Sequence, residues 1–72
     1  MNRTEAVSLL KELVSKNFVQ PPFVSIEKDD KSTYSLVMKG YGDLTYIRAY
    51  LADKDLILFE DKEKEVCVIY KP

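Results

Sequence analysis

Cys67 is the one thiol in a chain of 72 residues that contains no histidine. Nucleophilic catalysis needs an activated Ser, Thr or Cys beside a base, and here the usual base is missing. Cys67 lies between Val66 and Val68. That setting reads as a small buried side chain, because a reactive thiolate needs exposure and a neighbouring cation. A lone cysteine also excludes a disulfide within the chain. One thiol without imidazoles cannot supply the four nitrogen or sulfur ligands of a tetrahedral zinc site.

Carboxylates are plentiful: Asp29, Asp30, Asp53, Asp55, Asp61 and Glu63 alternate with lysine in short polar segments. They read as solvated turn residues. Calcium takes six or more oxygens on a loop shaped by glycine, and no complete loop of that kind occurs. Gly40-Tyr41-Gly42 tolerates positive φ, but a phosphate cradle would also need a helix N-terminus directly after it. A glycine-based hairpin loop is the preferred reading. No catalytic set, metal or cofactor is therefore expected, and the chain reads as non-enzymatic.

One constellation remains, Tyr46-Arg48-Tyr50, with Tyr70 expected nearby. On a strand, alternate side chains share a face. Aromatics beside arginine can stack on bases of a single strand. The same residue types are enriched in protein interfaces. The apolar neighbours Ile57 and Phe59 favour a protein interface. Composition agrees: 11 basic and 12 acidic residues leave a formal net charge of −1. No electrostatic funnel for nucleic acid or an anionic membrane follows from that balance.

The elements that hold these residues follow from periodicity. Hydrophobic residues make up 46% of the chain and charged residues 32%, a globular composition. The length fits one domain over residues 1–72. No apolar run approaches the roughly 20 residues that span a bilayer. Met1 to Glu5 lead into an amphipathic pattern rather than an apolar leader, so a cytoplasmic setting is the default expectation. Ala6, Val7, Leu10, Leu13 and Val14 recur at helical spacing, which predicts a helix over 4–17. Asn2 or Thr4 could cap it, and Lys16-Asn17 suit its end. Phe18-Val19-Gln20-Pro21-Pro22 forms a stiff connector, since proline removes backbone donors and restricts the preceding residue.

Beyond Pro22, β-prone segments at 23–28, 33–39, 44–51, 56–60 and 65–70 alternate with four-residue polar breaks. Such spacing predicts an α+β domain with an N-terminal helix packed on an antiparallel β-meander of about five strands. Segment 44–51 is ambiguous. Thr45, Tyr46, Ile47 and Tyr50 favour a strand. Leu44, Ile47 and Leu51 also fit a helical stripe capped by Asp43, which gives the alternative αββαββ with residues 44–52 helical.

With four-residue hairpin loops, Leu51 pairs with Leu56, Glu60 with Glu65, Lys39 with Leu44, and Lys28 with Thr33. One face then collects Tyr34, Leu36, Met38, Ile47, Ala49, Leu51, Leu56, Leu58, Cys67 and Ile69. The other collects Val24, Ile26, Val37, Tyr46, Arg48, Tyr50, Ile57, Phe59, Val66, Val68 and Tyr70. One helix covers one face, so the second carries an unexplained apolar patch. The sheet could curl, segment 44–51 could be a second helix, or another copy could cover the patch. Small domains often gain missing core by association. The expectation is a self-associating protein-interaction or regulatory module, a homodimer, with a further protein partner possible. Its candidate interface is Tyr46, Arg48, Tyr50, Ile57, Phe59, Val66, Val68 and Tyr70. The alternative is an accessory protein for single-stranded nucleic acid that uses the aromatic–arginine stripe.

Overall fold

A computed structural model describes all residues from Met1 to Pro72. The first helix, α1, spans Arg3–Ser15. Its N-terminus carries a reciprocal cap that satisfies two orphan donors. The Glu5 backbone N–H donates to Asn2 Oδ1 at 2.8 Å, and the Asn2 N–H donates to Glu5 Oε1 at 3.0 Å. Its C-terminus closes on Asn17, which takes a φ of 63°. There Phe18 N–H reaches Leu13 O at 2.9 Å and Asn17 N–H reaches Val14 O at 3.0 Å. Asparagine tolerates this left-handed position, so the chain leaves the helix at the expected place.

Pro21–Phe23 forms one 3-10 turn. Strand β1 follows at Val24–Lys28, and β2 at Tyr34–Lys39. A second helix, α2, occupies Thr45–Ala52. Strands β3, Ile57–Asp61, and β4, Val66–Tyr70, complete the chain. The sheet has four strands in the order β1-β2-β4-β3. Every neighbouring pair is antiparallel. Strands β2 and β3 therefore run parallel to each other on either side of β4, and α2 makes the crossover between them.

The α+β class, the N-terminal helix and the antiparallel sheet hold as expected. The count of about five strands is corrected to four, because segment 44–51 is the second helix of the alternative αββαββ order. Local chemistry explains the choice. Asp43 Oδ1 accepts from the Thr45 backbone N–H at 2.9 Å and from its hydroxyl at 2.7 Å. One turn closes the other end. Asp55 has a φ of 58°, Leu56 N–H reaches Leu51 O at 3.2 Å, and Asp55 N–H reaches Ala52 O at 3.3 Å. The break at 52–55 is thus a helix stop of the same kind as Asn17, not a hairpin loop. Burial then outweighs β-propensity: Ile47 is 3% exposed and Leu51 1%. The expected pairs Leu51–Leu56 and Lys39–Leu44 do not form, and β2 pairs with β4 instead.

Both helices lie on one face of the sheet, α1 against β2 and α2 against β3. The core between them joins Ala6, Leu9 and Leu13 of α1 and Ile47 and Leu51 of α2 to the sheet residues Leu36, Met38, Leu58, Cys67 and Ile69. Met1 joins this cluster, and its carbonyl accepts the Tyr34 N–H at 2.8 Å. No helix is long and apolar enough to cross a membrane.

Candidate functional site

The opposite face of the sheet has no layer over it. Cross-strand partners share a face, so the register assigns every side chain there. The middle row runs Ser25, Val37, Val68, Phe59, from Ser25↔Val37, Val37↔Val68 and Phe59↔Val68. The row at one end runs Lys39, Val66, Asp61. At the other end Tyr70 pairs with Ile57, and Glu27 with Ser35. The apolar residues thus occupy β2, β4 and β3, centred on Val68. Strand β1 contributes only Ser25 and Glu27 to this side.

Phe59 is 54% exposed and Ile57 39%. Val37, Val66, Val68 and Tyr70 are half-buried. A sheet face that met only water would alternate to polar residues at these positions. Five of the eight candidate interface residues, Ile57, Phe59, Val66, Val68 and Tyr70, come together here.

The other three do not. Tyr46, Arg48 and Tyr50 lie on α2, where positions two apart point to different sides of a helix. Tyr46 projects into solvent at 75% exposure. The Arg48 guanidinium reaches across to β3, donating to Leu58 O at 3.3 Å and standing 3.8 Å from Glu60 Oε1. The Tyr41 hydroxyl donates to the other oxygen of Glu60 at 3.3 Å. Glu60 therefore ties α2 and the 40–44 loop to β3. Burial raises the Tyr41 pKa, and the Glu60 charge adds to the rise. Tyr50 packs against Phe18 at 5.2 Å between centroids, with Lys16 and Lys54 each above its ring. These contacts fasten α2 to the fold, and Arg48 points to a different side of the helix from Tyr46 and Tyr50, which are four positions apart.

Val24 and Ile26 are also corrected. They pair with Met38 and Leu36 and face the helices. The cause is the β1–β2 hairpin. Asp29 Oδ1 accepts from Lys31 N–H and Thr33 N–H, both at 2.8 Å, and Asp29 N–H reaches Thr33 O at 2.8 Å. Ser32 completes the turn with a φ of 63°. The loop is a three-residue turn at 30–32, not a four-residue one, and an odd slip moves a whole strand to the other face. Between β3 and β4 the register also differs, with Glu60 opposite Cys67 rather than Glu65. That slip is even, so the assigned faces survive.

The remaining places for chemistry are quiet. Cys67 is wholly enclosed under the helices, and burial pushes its thiol up to about 11. No group of three or more acidic, Cys or His side chains converges as a metal site. A hollow of about 470 Å³ lies between the Lys16–Gln20 segment and the Lys39–Leu44 loop. No buried polar side-chain atom in the chain lacks a partner, so this hollow has no spare buried group to orient a ligand.

No protein-family model, curated protein or solved structure matches this chain.

Proposed function

We propose that this protein is a non-enzymatic interaction module that associates with its own kind through the open sheet face. The observation that carries the reading is the uncovered apolar group Val37, Val68, Phe59, Val66, Ile57 and Tyr70 over three adjacent strands. Both helices lie on the other face, and no element among residues 1–72 covers this one. Contiguous apolar surface rimmed by polar residues is the usual mark of an interaction site. Lys39, Asp61, Ser25 and Glu27 form that rim. The thiol of Cys67, the chain's strongest nucleophile by type, is enclosed in the core and turned away from this surface. The aromatic–arginine stripe for single-stranded nucleic acid loses its premise once 45–52 is a helix, and nothing favours it over the sheet face.

The direct test is mass against concentration by sedimentation equilibrium. The monomer is 8.3 kDa. The apparent mass should climb toward twice that value between about 10 and 500 micromolar, the range suited to a small interface. A mass that stays at the monomer value across that range refutes self-association.

A further inference from the structure

Resting on the self-association reading, we infer a particular partner geometry: a second copy related by a two-fold axis along β4, which sets Lys39 of each chain against the partner's Asp61. The sheet face is built for this exchange. Strand β4 presents three apolar or aromatic side chains, Val66, Val68 and Tyr70, and stands between the other two apolar strands. Lys39 and Asp61 flank Val66 from opposite sides in one row. Val37 and Phe59 flank Val68 in the next.

A two-fold axis along β4 turns the face over and swaps its left and right sides. Val66 and Val68 then meet their own counterparts, and Val37 meets the partner's Phe59. Lys39 meets the partner's Asp61, and symmetry makes that pair twice. An axis across the strands fails the same test, because it lays Asp61 over the partner's Ile57. The β4 axis also leaves β1 outside the contact, where Ser25 and Glu27 stay in water. Neither Lys39 nor Asp61 is used in any of the three ion pairs within the chain. The half-buried Asp61 accepts the Lys64 N–H at 3.2 Å through one carboxylate oxygen.

The test is charge reversal followed by mixing. Lys39→Glu sets a carboxylate against the partner's Asp61 at both ends. Asp61→Lys sets two lysines together in the same way. Each variant alone should self-associate about tenfold more weakly than the natural chain at low salt, with the gap closing as salt rises. Mixed in equal amounts, the two variants should form a one-to-one heterodimer near the natural affinity, because every pair is then opposite in sign. Native mass spectrometry of an isotope-labelled mixture reads this directly. Asp61→Asn keeps the acceptor for Lys64 and removes only the charge, so it separates turn damage from lost pairing. If the natural chain dimerises while the variants match it, or the mixture gives no gain, the β4 axis is wrong and self-association stands. If the natural chain is monomeric throughout, the self-association reading itself falls.

Discussion

Replacing Phe59 by aspartate puts a charge beside Val68 among the apolar residues of the open face and should separate association from folding. A phenylalanine buries about 200 Å² when fully covered. At 54% exposure, about 110 Å² of Phe59 still faces water. Covering half of that against a partner is worth about 1.4 kcal/mol at 25 cal/mol per Å². A two-fold contact counts it twice, so about 2.7 kcal/mol is lost, roughly a hundredfold in Kd. Burying the new carboxylates without a partner raises the loss further. Within the single chain the substitution gives up about 2.3 kcal/mol of buried area. A domain of 72 residues is stable by about 4–11 kcal/mol, so the variant stays folded. Sedimentation equilibrium measures the association, and thermal melting of dilute protein measures the fold. Val68→Thr serves as a milder companion that keeps the branched shape. A Phe59→Asp chain that is folded and associates as tightly as the natural one would refute the open face as the contact.

Three further outcomes probe the fold beneath that face. Leu51→Ala should cost about 2–5 kcal/mol in a denaturant titration, since Leu51 is 1% exposed beneath α2. Tyr46→Ala on the same helix should change stability by under about 0.5 kcal/mol. Equal losses at the two positions would argue against the helix. Cys67 should react with a disulfide reagent at pH 8 only as fast as the chain opens, and at once in denaturant, because its thiol is enclosed and held at about 11. Fast labelling of native protein would place it outside the core. Acid should unfold the chain through its capped carboxylates. Hydrogen bonds from the Thr33 and Lys31 N–H groups hold Asp29 low, and the Asn2 N–H does the same for Glu5. A pKa lowered by folding adds stability above the unfolded value, and that stability is lost as pH falls through the folded one. The melting temperature should therefore be flat from pH 7 to about 5 and fall below about 4. Asp29→Asn should flatten part of that fall, and an unchanged profile would remove Asp29 from the account.

The fold is legible where one signal speaks alone. Helix α1 has a wide apolar stripe, capping candidates at Asn2 and Thr4, of which the structure uses Asn2, and a stop at Lys16-Asn17, and all three agree. Segment 44–51 carries two signals of opposite sign. Its β-branched and aromatic residues favour a strand, while Leu44, Ile47 and Leu51 favour a helix. Propensity differences of this kind are worth about 1 kcal/mol or less per residue. Burying Ile47 and Leu51 against β3 is worth more, so the tertiary contribution decides. The break at 52–55 holds the missing clue. An aspartate that accepts positive φ ends a helix as readily as it turns a hairpin, and residue type alone does not separate the two. Strand β1 is misplaced by sequence reasoning for a smaller reason. Ser32 takes the left-handed position usually given to glycine, so nothing in the residue types marks the shorter loop that moves Val24 and Ile26 to the other side.

A second helix is one of three ways to account for an apolar surplus on the second face. Here it covers the face that α1 already covers in part. Tyr46, Arg48 and Tyr50 leave the open face with it, and so do Val24 and Ile26 through the odd slip. What stays behind is narrower and more ordered: three strands, with charge at one end and only serine and a carboxylate on β1. That contraction makes the case for a second copy stronger. A diffuse apolar face could take almost any partner. A face with its apolar residues centred on β4, and a lysine and an aspartate at equal steps to either side, matches its own image when turned over in the two rows of Val66 and Val68, while in the third Ile57 meets the partner's Ser35. Three strands at about 4.8 Å and five residues at about 3.3 Å measure roughly 14 by 17 Å. A contact of that size falls below the roughly 1,200 Å² of standard stable interfaces, so the affinity expected is micromolar or weaker. In a contact that small, two corner ion pairs contribute more to fixing the alignment of the two sheets than to holding them together.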